Sequence, residues 1–385
     1  MNKPINLIVS TGVYGESRPE EILNRGLEAN TFDILDRTKS ASSIRKQVLM
    51  TNSNPLLDLD KSMYPKLSVK KTTEDFHFGK SLFDQINRHQ LEKVFYLGGG
   101  SGPLFRKKDF EKVFKFIENH ETRSISNNFY STDMIGLGSA SRLLDFDPPE
   151  EDNELGWLSR DAGLTPYELR RSAKTQLDMD SPVDLLSIKL GGSLQGKLSE
   201  HISTLDWGNT RIREILPQFT DQSCRLVIAG RIGASTWSHL EREAACQIDV
   251  FSEGRGSGAR CKENGLPTSL IGSLFEDKGP GEFLKHLTAG ATGLFLDTRV
   301  LMDYFGKWPS RADRFSSDLL EPQGVDTPYL KELTEAALNA AKPVVLGGHS
   351  MVSGALYLFS NVSWRVTEPE SVNIRPETYE LNNTK

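Results

Sequence analysis

The sequence predicts an α/β protein in which one pattern occurs twice, and three observations lead to that expectation. Short apolar, β-prone runs at residues 5–10, 47–51 and 94–97 alternate with helix-length amphipathic stretches. These runs break into loops rich in glycine or other small residues, as strands do when they deliver a bare turn to a sheet edge. The alternation then restarts, with further runs at residues 225–229, 247–251, 294–296 and 343–346. Strand, loop, helix and strand in repeated order are the opening of a parallel sheet.

Taken in order, residues 5–10 form a first buried strand, and the loop after it ends in a helix start. Ser17 caps, Pro19 sits early, and Glu20 completes a Ser-x-x-Glu box. Ile22, Leu23, Leu27, Phe32, Ile34 and Leu35 continue that helix at mixed three and four spacing. A strand over 47–51 follows and stops at Asn52-Ser53-Asn54-Pro55. Residues 56–75 are polar, lysine-bearing and aperiodic, and read as an insertion over the sheet. A helix over 80–90 leads to the run Val94-Phe95-Tyr96-Leu97, which gives way to Gly98-Gly99-Gly100-Ser101-Gly102-Pro103. Such a loop either lets backbone N–H groups approach a phosphate or makes a tight turn with nothing bound. Phe110, Val113, Phe114 and Ile117 mark an amphipathic helix over 108–119, before a short strand at 123–125 and a polar segment ending in Asp133.

The stretch Leu177-Asp178-Met179-Asp180-Ser181-Pro182-Val183-Asp184 closes a second capping box, with Ser181 as cap, Pro182 at the first helical position and Asp184 three residues on. Asp178 and Asp180, two apart on a strand, point off one face. Two carboxylates aimed together repel unless a cation or proton intervenes, so they read either as a magnesium site or as solvated strand-end residues.

Length and composition bound the rest. At 385 residues the chain exceeds what one core usually organises, and two domains are expected, at 1–190 and 200–360. Residues 189–197 have the glycine and lysine content of a linker. The tail over 361–385, rich in Glu, Asn, Pro and Thr, reads as poorly ordered. The net charge of -6, and the lack of Lys/Arg clusters interleaved with aromatics, argue against nucleic acid and anionic membrane as partners. Cys224, Cys246 and Cys261 contain no C-x-x-C pair, which suits a reducing compartment. The first apolar run is far short of a signal-peptide core, so a soluble, cytoplasmic protein is expected.

With these pieces assembled, residues 1–190 resemble the nucleotidyltransferase superfamily that includes molybdenum-cofactor guanylyltransferase and phospholactate guanylyltransferase. The resemblance rests on Gly15-x-x-Arg18, on Phe32-Asp33-Ile34-Leu35 before a strand ending in Thr51-Asn52, on the glycine-rich strand end with Pro103-Leu104, and above all on Asp178-x-Asp180-Ser181-Pro182-x-Asp184-Leu185. It implies a Rossmann-like domain of the nucleotide-sugar-transferase type, followed here by a second α/β domain. It implies attack of a phosphorylated acceptor on the α-phosphate of a nucleoside triphosphate, with pyrophosphate released and Mg2+ neutralising charge. Arg18 and Asp133 are then the catalytic candidates. Gly12, Gly15 and Arg18 would hold the triphosphate, Gly99, Gly100, Ser101 and Gly102 the base or ribose, and Asp133, Asp178 and Asp180 the metal. Two departures stand out. Ser101 occupies the position of a metal-binding Asp, and the first loop lacks the family's Gly-Gly pair and lysine. Either Asp133 holds the metal with Asp178 or Asp180, or the chain is a nucleotide sensor that binds without turnover.

The second half matches no family by its residues. Gly230 to Ser235 with Asp249 could serve a dinucleotide-dependent oxidoreductase, although the full G-x-G-x-x-G is absent. The arginines and aspartates between Asp297 and Asp318 suit either phosphate recognition or a surface ion-pair net. Gly347-Gly348-His349-Ser350 invites comparison with a hydrolase elbow. The other histidines all precede Ser350, whereas that fold needs its histidine afterwards. An anion-binding turn at a helix start is the better reading.

Overall fold

A computed structural model of the chain describes residues 4–60, 62–191, 194–205, 211–254 and 268–366. The first sheet has seven strands: β1 (Ile5–Thr11), β2 (Ile44–Thr51), β3 (Leu67–Lys71), β4 (Lys93–Gly98), β5 (Arg123–Ser126), β6 (Met134–Leu137) and β7 (Thr165–Glu168), in the order β3-β2-β1-β4-β6-β5-β7. All neighbours are parallel except β6, which runs antiparallel to both β4 and β5. Successive side chains of a strand alternate between faces, and the core divides accordingly. Ile5, Leu7, Val9, Phe95 and Leu97 pack on one face, and Ile8, Val48, Met50, Val94 and Tyr96 on the other. A strand covered on both sides needs an unbroken apolar run, which is why β1, β2 and β4 stand out in the sequence.

The polar stretch expected as an insertion is instead part of the sheet. Asn54–Leu57 is a helical turn, and β3 pairs with β2 from Gln47↔Leu67 to Thr51↔Lys71. As an edge strand ending in Lys70 and Lys71, β3 carries no apolar run, and its charge discourages further pairing. β6 and β7 were equally silent, each having only four residues, and β7 is exposed throughout.

The second sheet comprises β8 (Arg225–Gly230), β9 (Gln247–Ser252), β10 (Gly293–Asp297) and β11 (Val344–Gly347), all parallel, in the order β11-β10-β8-β9. Its four strands fall on the apolar runs read from the sequence. Helices Ala234–Glu243, Leu270–Leu287, Arg299–Phe305, Arg311–Asp318, Pro328–Leu338 and Gly354–Val366 surround it.

Helix Arg18–Lys39 starts as expected: the Glu20 carboxylate accepts from both the N–H (3.2 Å) and the hydroxyl (2.6 Å) of Ser17. Gly26 lets this helix approach Leu185 of helix Pro182–Gly191, since a Cβ there would lie 2.8 Å from the leucine methyl. Residues 189–191, read as linker, complete that helix, and Gly196 opens another at Lys197–Ser203. Gly196 has φ +98°, and a Cβ would meet the Asp33 carboxylate at 2.3 Å. That carboxylate accepts from the N–H groups of Lys197 (2.8 Å) and Leu198 (3.3 Å).

One hydrophobic cluster runs through both halves. Ile22, Leu23 and Ala29 of the first helix join Leu185 and Ile188, then Ile228 and Phe295 of the second sheet, and Leu356 and Phe359 of the last helix. Cys246 is buried and Cys224 half-buried, both as free thiols. Cys261 and residues 367–385 lie outside the described residues, while residues 361–366, read as the start of a poorly ordered tail, complete helix Gly354–Val366. Among the described residues no helix is long and apolar enough to cross a membrane.

Candidate functional site: an acidic cleft joined to an arginine pocket

Parallel strands deliver their following loops to one edge, and ligand crevices form there. In this chain both sheets send such loops to the same cleft. A cavity of about 330 Å³ is lined by Gly98 and Ser101 after β4, by Asn127 and Asp133 around the turn into β6, and by Asp152, Asp178 and Asp180; from the second half Arg231, His349, Ser350 and Ser353 face it. A second cavity of about 400 Å³ shares Asp180, Arg231 and His349 with the first, and adds Arg299, Trp308, Arg311, Arg314, Phe315 and Gly348.

The acidic groups are held individually. Asn127 Oδ1 accepts from the N–H groups of Asp133 (3.1 Å) and Met134 (3.2 Å), while its amide donates to Asp133 Oδ2 at 2.8 Å. The Tyr96 hydroxyl donates to Asp152 Oδ2 at 2.9 Å. Asp178 pairs with Ser101 as an isolated antiparallel bridge, and Met179 N–H donates to Gly100 O at 3.1 Å. Ser101 Oγ donates to Asp178 Oδ1 at 2.8 Å. Ser101 thus orients the Asp178 carboxylate. Asp178 and Asp180 sit on an extended segment as expected, with Met179 buried between them, Asp178 half-buried and Asp180 exposed at the mouth.

Burial, followed by the charge of neighbouring carboxylates, pushes three of these acids above the ordinary range. Asp152 rises to about 6; burial is the largest cause, and the Asp180 charge adds to it. Asp133 is raised by burial and by Asp152 and Asp180. Asp178 is raised well above its usual value by burial and by Asp180 and Asp133. Asp184 stays out of the cavity as a cap, accepting from Ser181 N–H (2.8 Å), Ser181 Oγ (3.0 Å) and Asp180 N–H (3.1 Å).

The glycines of the β4 loop serve close packing. Gly99 is buried with its N–H on Ser10 O (2.8 Å), and a Cβ would lie 2.4 Å from Thr11 Oγ1. Gly100 lies against Met179 O and the Asp178 carboxylate. Gly102 is buried with φ +63°, and the Ser101 N–H donates to Gly98 O at 3.0 Å. In the first loop, Gly15 has φ +77° and Gly12 packs on the Tyr14 ring, while Asn52 accepts from Val13 N–H and donates to its carbonyl, both at 2.8 Å. Arg18 does not line either cavity; its guanidinium donates to Glu321 at 2.6 Å on the surface. Gly347 packs on Met351, and Gly348, His349 and Ser350 reach the cleft. Asp249 is paired with Arg225 on the neighbouring strand at 2.6 Å.

Arg231 grips the buried Asp297 through Nε (2.6 Å) and a second nitrogen (3.1 Å), and Arg299 grips Asp318 at 2.5 and 2.7 Å. These are ion pairs, as one sequence reading allowed, but they lie at the cleft rather than scattered on the surface. Asp152 was not anticipated: it follows the acidic run Glu150-Glu151, which reads as solvated surface, and only its hydrogen bond to Tyr96 distinguishes it. Among the described residues no three His, Cys, Asp or Glu side chains are grouped closely enough to hold a metal ion.

No protein-family model matches the chain, and no curated protein does either. Among solved structures, a cytidylyltransferase from Leptospira borgpetersenii is 14% identical, with a TM-score of 0.37 over 52% of this chain and 92% of its own. The 4-diphosphocytidyl-2C-methyl-D-erythritol synthase from Anaerococcus prevotii is 11% identical, with a TM-score of 0.30 over 44% and 87%. A CMP:2-keto-3-deoxy-manno-octonic acid synthetase complexed with CTP is 12% identical, with a TM-score of 0.29 over 43% and 90%. A likeness this distant says nothing about activity.

Proposed function

We propose that the chain is a Mg2+-dependent nucleotidyltransferase that moves a nucleoside monophosphate from a nucleoside triphosphate to a small phosphorylated acceptor. The observation that carries this reading is the convergence of Asp133, Asp152, Asp178 and Asp180 on one cavity at the strand ends of a largely parallel sheet. Burial, and then the neighbouring negative charges, raise the proton affinity of Asp133, Asp152 and Asp178, and a hard dication with oxygen ligands relieves such a set. Oxygen donors of this kind suit Mg2+, and Asp133, Asp178 and Asp180 are the residues that would hold it, but as they stand among the described residues no three of them are grouped closely enough for one ion. Bound there, the ion would neutralise the triphosphate and the charge that develops on the leaving pyrophosphate.

The chain's own residues orient and neutralise. Ser101 and Asn127 fix the carboxylates of Asp178 and Asp133. Of the loop read as the base or ribose site, Ser101 lines the cavity, while Gly99, Gly100 and Gly102 are packed behind it. Gly12, Gly15 and Arg18 line neither cavity, and to meet a triphosphate there Arg18 would have to leave Glu321. An exposed pair of that kind is worth about 0–1 kcal/mol, so its release is no obstacle. An acceptor phosphate oxygen forms a bond to the α-phosphorus, the bond from that phosphorus to the bridging oxygen breaks, and pyrophosphate leaves with the electron pair. The attacking oxygen is already ionised and needs no general base.

The test is calorimetric binding of each nucleoside triphosphate with Mg2+, together with pyrophosphate release across a panel of phosphorylated acceptors. Binding plus release, both lost in Asp178→Asn, supports the transfer. Failure of every triphosphate to bind overturns it. The unassembled metal ligands favour a second reading, a nucleotide sensor, and tight binding without pyrophosphate release for any acceptor would select it. Binding of NAD(H) or NADP(H) in place of triphosphates would favour an oxidoreductase instead.

A further inference from the structure

The arginine pocket differs from the acidic cleft in one respect that the proposed reaction leaves unexplained. Of the four arginines lining it, Arg231 and Arg299 are each neutralised by a buried aspartate. Arg311 and Arg314 are not: among the described residues neither guanidinium has a carboxylate partner or a side-chain hydrogen bond. Both are instead supported from behind by aromatic rings. Arg314 lies over Trp308 at 5.2 Å and Phe315 at 6.0 Å, and Arg311 over Phe315 at 5.3 Å and Tyr14 of the first loop at 5.5 Å. Arg314 Nε is buried with no hydrogen-bond partner. Burial, and then the neighbouring Arg299 charge, push Arg314 down to about 10, and the more distant Asp318 and Asp180 charges do not offset this. Trp308 leaves half its surface open, 50% exposed, on the same pocket.

Two guanidiniums without a carboxylate partner, one helical turn apart on helix Arg311–Asp318 and beside two that are already neutralised, match the charge and the oxygen geometry of a phosphomonoester dianion. We propose that the pocket walled by Trp308, Arg311 and Arg314 binds the phosphate of the acceptor. The acceptor role rests on the nucleotidyl-transfer reading of the adjoining cleft; the anion site itself does not. The pocket opens onto Asp180 and Arg231, which it shares with that cleft, so a phosphate held there lies beside the place proposed for the triphosphate. A dianion has to approach an α-phosphate that is itself negative, and this repulsion is strong in a partly buried site. The two arginines offset it, and the second half of the chain thereby supplies what the first half lacks.

The same chemistry could instead receive the β- and γ-phosphates of the nucleotide, and the test separates the two sources. Inorganic phosphate and Mg2+-nucleoside triphosphate are titrated separately by calorimetry, at constant ionic strength, into the full chain and into Arg311→Met, Arg314→Met and Arg314→Lys. The expected result is that each Met variant weakens phosphate binding at least tenfold and Arg314→Lys by less, while affinity for the triphosphate changes less than twofold. Unchanged phosphate affinity in both Met variants overturns the site. Equal loss of phosphate and triphosphate overturns the acceptor assignment and gives the pocket to the nucleotide. If wild type binds phosphate but no triphosphate, and the variants lose phosphate, the anion site stands and the transfer reading falls. Of the pair only Arg314 has a buried, unpartnered nitrogen, so the Arg311 variant carries the test if Arg314→Met does not fold, as judged by circular dichroism.

Discussion

The hydroxyl of Ser350 holds the peptide of Asp178 at two points, donating to its carbonyl oxygen at 2.7 Å and accepting from its N–H at 3.3 Å. The two residues belong to opposite halves of the chain, and Ser350 is only 2% exposed. The serine read as part of an anion-binding turn is therefore also a clasp on the central acidic segment. Ser350→Ala leaves a buried carbonyl and N–H without this partner, at a cost of about 1–2 kcal/mol. Urea denaturation is expected to show that drop as a lower midpoint with unchanged slope.

Burial, and then the charges of Asp180 and Asp133, oppose ionisation of Asp178 and outweigh the Ser101 hydrogen bond that favours it. Asp178→Asn keeps the shape and removes the repulsion. The expected outcome is a metal-free protein at pH 8 that is more stable by ~1 kcal/mol, measured by thermal melting, and that has lost Mg2+-dependent triphosphate binding. A gain in stability with loss of function is the pattern of a site strained for its ligand.

Arg299 and Asp318 form a bidentate pair, with side chains 6% and 0% exposed. Arg299→Met strands the Asp318 carboxylate in the interior and is expected to destabilise by about 3–5 kcal/mol. Arg299→Met combined with Asp318→Leu should recover most of that loss. Chemical denaturation of the two single variants and the double variant gives the coupling directly.

Gly99 faces Thr11 so closely that any Cβ must displace it, and Thr11 Oγ1 is itself bonded to Thr31 Oγ1 at 2.7 Å. Gly99→Ala should cost about 1–3 kcal/mol by overpacking. Adding Thr11→Ala, which clears the obstructing atoms, should restore part of it. A melt of the double variant no higher than that of Gly99→Ala would show the strain lies elsewhere.

Cys246 is 8% exposed, and burial, followed by the nearby Cys224, pushes its thiol up to about 12. An unfolded cysteine ionises near pH 8.5–9. Between about pH 9 and 12 the unfolded chain therefore holds fewer protons at this site, and stability falls as pH rises, by up to ~1.4 kcal/mol per unit. The difference between the denaturation curves of wild type and Cys246→Ala across that range isolates the effect. At pH 8 the native thiol should resist iodoacetamide and react once urea is added.

How much could be read in the sequence depended on what each residue had to satisfy locally. β1, β2, β4, β8, β10 and β11 are strands covered by other elements, so their apolar runs announce them, and the Ser17–Glu20 and Ser181–Asp184 boxes are written within four residues. β3, β6 and β7 are short, edge-like or antiparallel and leave no such mark. Asp133, Asp178 and Asp180 were picked out as a group and line one cavity. Their setting was not legible, because Ser101 and Asp178 are brought together by the fold from 77 residues apart. The same holds for Arg314, whose significance lies in the carboxylate that is missing beside it, and no local pattern encodes that.

The shared cluster of Ile22, Leu23, Leu185, Phe295, Leu356 and Phe359 also sets a timetable for biosynthesis. The apolar flank of the first helix leaves the ribosome early, but part of its cover, helix Arg311–Asp318 with Phe315 in the same cluster, is made much later. At ~5–20 residues per second the interval is roughly 15–60 s. Throughout it the nascent first half presents sticky surface to the cell, and a chain that stalls before residue 311 leaves part of that surface bare for chaperones and proteases to find.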